Sequence, residues 1–147
     1  MGIALVEYGN NIYDGTAVVA SGKTVEAGDF VELTVAADGN TVAQCAPTPT
    51  TTPYLVVVED DTIEEQGVDT ASITLGEGKN VKLKRLLPGE RFVTSGVTDT
   101  VVVGDKLCAA NGKLVKVGAD ATPVQTYQVA EITTIAGVKC HRMIVLD

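Results

Sequence analysis

The sequence predicts an all-β protein: a single small β-barrel or β-sandwich domain over residues 16–147, led by an extended N-terminal arm over residues 1–15. Three observations carry that expectation. Val, Thr, Gly and Ala dominate the composition, Trp is absent, and Phe occurs only at Phe30 and Phe92. β-Branched side chains fit a pleated sheet better than a helix. Short apolar or alternating segments recur with turn residues at roughly 8–12-residue spacing, the rhythm of a sandwich or barrel. Finally, 147 residues are one domain's worth of chain, long enough to bury a core without a disulfide or metal staple.

The elements follow in order. Residues 1–15 hold Ile3, Leu5, Val6, Tyr8, Ile12 and Tyr13, interrupted by Gly9, Asn10, Asn11 and Gly15. The alternation is poor and the interruptions are turn formers, so this reads as an arm. Two readings fit it: the arm holds neighbouring subunits together, or it adds an edge strand to its own barrel. A first strand is expected at 16–21. Phe30–Val35 and 41–44 form a hairpin across Asp38-Gly39. Residues 46–53 hold Pro47, Pro49 and Pro53; proline cannot donate to a sheet ladder, so this is a surface loop.

A strand is expected at 54–59, then an acidic polar stretch at 60–70 with room for one helical turn capped by Asp61. The segment 81–86 alternates with period two, and Pro88-Gly89 turns the chain into a strand at 91–94. Further strands are expected at 100–103, 106–109, 114–117, 126–134 and 138–146. The core is expected from Val31, Leu33, Val56, Val58, Leu83, Phe92, Leu107 and Ile144. One internal echo stands out: Val25-Glu26-Ala27-Gly28-Asp29-Phe30-Val31 against Val101-Val102-Val103-Gly104-Asp105-Lys106-Leu107. Each copy is a Gly-Asp turn opening a hairpin, and two copies fit a barrel with two similar corners.

Charge narrows the function. The formal net charge is −8, so the lysine and arginine surplus that binds a phosphate backbone or an anionic membrane is missing. No apolar run approaches the roughly 18 residues of a membrane helix, and the opening residues lack the basic segment of a signal peptide. Cys45, Cys108 and Cys140 are odd in number and widely spaced, which suits reduced, structural thiols.

Catalytic templates fit poorly. The one histidine, His141, neighbours Cys140, but adjacent strand residues point to opposite faces, so it reads as an exposed strand histidine. Paired Cys or His at zinc spacing is missing, and Asp60, Asp61, Glu64 and Glu65 lack the calcium-loop pattern. No cofactor is expected. The basic cluster Lys82, Lys84, Arg85 and Arg91 has two readings: an exposed strand face that blunts an edge, or an electrostatic contact with an acidic partner. The candidate partner-binding residues are therefore Ile3, Leu5, Tyr8, Ile12 and Tyr13 in the arm, with Lys84 and Arg91 on the basic face.

The run Val25–Val31, a strand at 55–58, Pro88-Gly89-Glu90-Arg91-Phe92, Val103-Gly104-Asp105-Lys106-Leu107 and Asn111-Gly112-Lys113 together resemble the small capsid decoration, or cement, proteins of tailed bacteriophages. The likeness spans about residues 25–146. It implies a structural, non-enzymatic virion protein that docks on the major capsid protein at the outer surface of the phage head. It further implies homotrimers at local three-fold positions, stiffening of the expanded shell, and assembly in the host cytoplasm. No catalytic residue, nucleic-acid contact or membrane contact comes with it. Another virion subunit, of tail or baseplate, and a carbohydrate-binding or adhesion module remain the alternatives.

Overall fold

A computed structural model describes residues 2–8, 15–57, 74–119 and 121–147, with residues 7 and 8 described by backbone alone. These residues form thirteen β-strands and no helix. They are β1 (Ala4–Tyr8), β2 (Gly15–Val19), β3 (Thr24–Glu26), β4 (Phe30–Val35), β5 (Thr41–Gln44), β6 (Tyr54–Val56) and β7 (Thr74–Gly76). Then come β8 (Asn80–Lys84), β9 (Arg91–Thr94), β10 (Lys106–Ala110), β11 (Lys113–Lys116), β12 (Tyr127–Ile135) and β13 (Val138–Val145). The expected all-β class is what the chain adopts.

Two sheets divide the work. Strands β2-β5-β4-β6-β8 close into a barrel, while β1-β9-β13-β12-β10-β11 form an open six-stranded sheet. The barrel pairs are antiparallel except β2 with β5. Barrel diameter grows with strand number, so five strands leave room only for small side chains. Accordingly Ala17, Val19, Ala43, Val56, Val81 and Leu83 fill it. The short β3–β7 ribbon contributes Val25 and Leu75 to the same core.

The second core lies between the barrel wall and the open sheet. Phe30 pairs with Leu55 across β4 and β6, and Val31 with Tyr54. Successive strand residues point to opposite faces. Thus Val31 and Val56 enter the barrel core, whereas Phe30 and Leu55 enter the second core with Phe92, Leu107, Leu114, Tyr127 and Met143. Phe30, Phe92 and Tyr127 form a ring cluster with centroids 5.4 to 6.2 Å apart. Both faces of β4 are thereby buried at its start, at Phe30 and Val31, which ties barrel and sheet into one structure.

One turn is used three times. At 26–29, 87–90 and 102–105 the third residue is a glycine with positive φ (Gly28 93°, Gly89 87°, Gly104 97°), the requirement of a type II turn. The fourth residue is acidic, and its backbone N–H donates to the carbonyl of the first. The carboxylate in turn accepts the N–H of that first residue, at 3.0 Å for Asp29, 2.6 Å for Glu90 and 2.9 Å for Asp105. Each glycine N–H docks on a neighbouring strand, at Val56, Val145 and Val129. Each carboxylate also has a lysine: Lys113 on Asp29, Lys84 on Glu90 at 3.5 Å and Lys116 on Asp105 at 3.6 Å. The echo of 25–31 and 101–107 is real, and Pro88-Gly89-Glu90 is its third copy. Glutamate in place of aspartate hid it.

Several expectations need correction. The N-terminal segment is not a free arm where it is described. Residues 4–8 pair with β9, so the segment adds an edge strand there, to the open six-stranded sheet and not to the barrel; Ile12 and Tyr13 lie outside the described residues, as do Val58 and the acidic stretch at 60–70. No strand forms at 100–103, because the 102–105 turn takes up the second half of that segment. Leu33 and Ile144 are half-buried rather than core. Ile144 falls on the far face of the sheet from Met143 and Val145.

Candidate functional site

The site is built by register. Residues directly opposite in antiparallel strands share a face. Leu5 lies opposite Val93, Val93 opposite Arg142, and Arg142 opposite Glu131. One step along, Arg91 lies opposite Ile144, Ile144 opposite Gln128, and Gln128 opposite Lys106. Phe92, Met143 and Val129 occupy the intervening row and belong to the core. Both named rows therefore lie on the outer face of the six-stranded sheet, turned away from the barrel.

One row runs from Leu5 on the edge strand to Arg142 and Glu131 in the middle of the sheet, and the other has Ile144 between Arg91 and Lys106 at its ends. Leu5 is 48% exposed, Ile144 and Arg142 are half-buried, and Arg91 and Lys106 are exposed. Val93 and Cys140 are fully buried beneath Ile3, with Ile135 and Val138 alongside. Among the residues whose side chains are described, the two rows hold Arg91, Arg142 and Lys106 together with Glu131, which pairs with Arg142. On a chain of net charge −8, this gathers three of the eleven lysines and arginines onto one face.

The structure divides the expected partner-binding residues. Leu5 and Arg91, far apart in sequence, share the outer face, and the backbone of Tyr8 lies opposite Arg91. Ile3 is buried against Val93 and Cys140, so it anchors β1 and does not meet solvent. Lys84 is a correction. It is 2% exposed, held by Glu90 and by donation of its Nζ to the Arg85 carbonyl at 2.9 Å. A lysine facing inward at the end of β8 needs such a carboxylate, and the 87–90 turn supplies it.

Arg142 and Lys106 escaped the sequence reading, yet a signal existed for Lys106. Arg91 and Lys106 each follow the acidic residue of the repeated turn, as Phe30 does in the first copy. Two copies thus deliver a cation to the sheet's outer face, and the third delivers a phenyl ring to the core between the sheets. Arg142 is legible only from the β12–β13 register.

His141 also differs from expectation: it is buried, not exposed. It does point away from the Cys140 side, as adjacent strand residues must, since Cys140 packs with Ile3 and Val93 on the outer face. The three thiols are free, and burial pushes each thiol pKa upward, so each stays protonated and a poor nucleophile. Among the described residues no group of three His, Cys, Asp or Glu side chains is placed to hold a metal ion. A groove of about 200 Å³ opens elsewhere, between Pro53, Arg85, Leu87 and Val124.

No family model matches the chain, and neither a curated protein nor a solved structure does.

Proposed function

We propose that this chain is a structural protein of a tailed-phage particle that binds the outer surface of the capsid and stabilises it, as a homotrimer. One observation carries the docking part of this reading: the outer face of the six-stranded sheet puts Leu5 and Ile144 among three cations on an otherwise acidic chain. Charge complementarity steers association and fixes register more than it supplies affinity, and apolar side chains supply contact area. The occupant that fits is an acidic protein surface with an apolar spot, the chemistry required of the capsid shell. Acidity elsewhere would keep the protein off the packaged genome. A trimer would multiply weak individual contacts through avidity.

The test uses purified, DNA-free expanded heads of the encoding phage and the full-length protein. Sedimentation should show saturable binding at a fixed number of copies per head, falling steeply with salt. The pair Arg91→Glu and Lys106→Glu should weaken it at least about tenfold while leaving the fold intact. Heads that bind nothing at any salt concentration would end the capsid reading. Heads that bind the charge-reversed protein equally well would remove the outer face from it.

A further inference from the structure

We propose that His141 makes the seam between barrel and sheet sensitive to acid, so that protonating its imidazole loosens the contact of the six-stranded sheet with the 26–29 turn. The side chain is 4% exposed, and its Nδ1 is buried without a hydrogen-bond partner. Its neighbours across the sheet are Thr94 of β9 and Ile132 of β12. Along its own strand, on the same face, stand Met143 and Lys139. Thr94 and Ile132 carry no charge, and the charge that acts on the imidazole is the like charge of Lys139. Among the described residues, no carboxylate acts on the ring to accept a hydrogen bond from a second N–H.

Position turns this into a device. Thr94, directly opposite His141, donates its hydroxyl to the Gly28 carbonyl at 2.7 Å and accepts the Gly96 N–H at 2.9 Å. The packing there leaves no room for side chains. A Cβ on Gly96 would come within 2.2 Å of the Gly28 oxygen, and one on Gly28 within 2.5 Å of the Ile3 oxygen. Ile3 is itself fixed by Ser95, through its N–H to Oγ at 2.8 Å and its carbonyl to the Ser95 N–H at 3.0 Å. Thr94, which holds the barrel's turn and lies opposite Ala4 at the start of β1, therefore has His141 as its direct neighbour across the sheet. A cation forced into that position must reach water, and the strand must move to let it.

The direction of the effect follows from linkage. Burial first, and Lys139 second, lower the His141 pKa, so the unfolded chain binds the proton more readily than the folded one. Stability is complete above the ordinary histidine value and is lost as pH falls through it towards the folded value. The chain has a single histidine, which makes the experiment clean. NMR titration of the full-length protein should place the His141 midpoint below 6.5, the ordinary value, and a midpoint at or above it would overturn the proposal. Amide exchange at Thr94 and Gly96, corrected for intrinsic rate, should rise about tenfold between roughly pH 7 and pH 5 in the native protein. In His141→Gln, which cannot take up the proton, that rise should vanish. An equal rise in both proteins would show that acid acts elsewhere.

Discussion

The barrel and the six-stranded sheet are built from the same repeated turn and put it to opposite uses. The barrel has no open edge, a core of alanine and valine with Leu75 and Leu83, and among its described strand residues one large exposed apolar side chain, Val35. The sheet has edges, a core of aromatic and large aliphatic residues, and an outer face bearing Leu5, Ile144 and three cations. Closure removes the hazard of unpaired strand edges, so the barrel serves as the scaffold. Under the proposed function, the outer face of the sheet is the part that meets the partner. The residue after each turn decides which role applies: Phe30 locks the two halves together, while Arg91 and Lys106 face outward.

The strongest way to break this comparison is to cut the lock. Phe30 is fully buried between the halves and touches both Phe92 and Tyr127. Phe30→Ala should cost about 3–5 kcal/mol, and barrel and sheet should still melt together. Two separate transitions, seen by site-resolved NMR during urea unfolding, would show that they are independent units. Removing one partner of the buried Lys84–Glu90 pair comes next, at about 3 kcal/mol for Lys84→Met. The same variant should bind its partner normally once folded, because Lys84 never reaches the surface. Loss of binding with an unchanged melting curve would restore Lys84 as a docking residue.

How much of this was legible in the sequence depends on the range of the interaction. Hairpins closed by Asp38-Gly39 and Asn111-Gly112 are local, and composition and turn chemistry place β4, β5, β10 and β11 almost to the residue. The short β3 and β7 went unseen because they pair with each other across nearly fifty residues, in segments too brief to show alternation. The candidate site was half legible. Leu5 and Arg91 were singled out for reasons of size and charge, but their sharing a face follows from β1 lying beside β9. Lys84 and His141 were misplaced for one reason: a polar residue in an alternating strand was taken to face water. The partner that lets Lys84 be buried, Glu90, is contributed by a turn.

The repeated turn gives a smaller, sharper test. Gly28 and Gly104 share a positive φ, but a Cβ on Gly28 meets the Ile3 oxygen and the Thr94 hydroxyl, whereas one on Gly104 meets open space. Gly104→Ala therefore carries only the left-handed backbone penalty, about 1–2 kcal/mol. Gly28→Ala adds a steric clash at the seam and should lose clearly more in the same urea titration. Equal losses would mean that the seam yields easily and that the halves are less tightly joined than their shared core implies.

The smallest effect on folding separates the two readings of the N-terminal segment. Leu5 is half exposed on the outer face, while Ile3, two residues earlier, is buried against Val93 and Cys140. If the segment serves only as an edge strand, Leu5→Ser should change nothing beyond the roughly ±0.5 kcal/mol typical of surface substitutions. If the outer face docks, the same change should leave the melting curve in place and weaken binding to heads about tenfold, as expected for an apolar side chain lost from an interface. Ile3→Ser is the control in the other direction. It should destabilise by opening the cluster under β1, and it should affect binding only through the fraction unfolded. The opposite pattern, with Ile3→Ser impairing binding in a fully folded protein and Leu5→Ser silent, would mean that β1 leaves its own sheet to engage a neighbour, and the segment would be an arm after all.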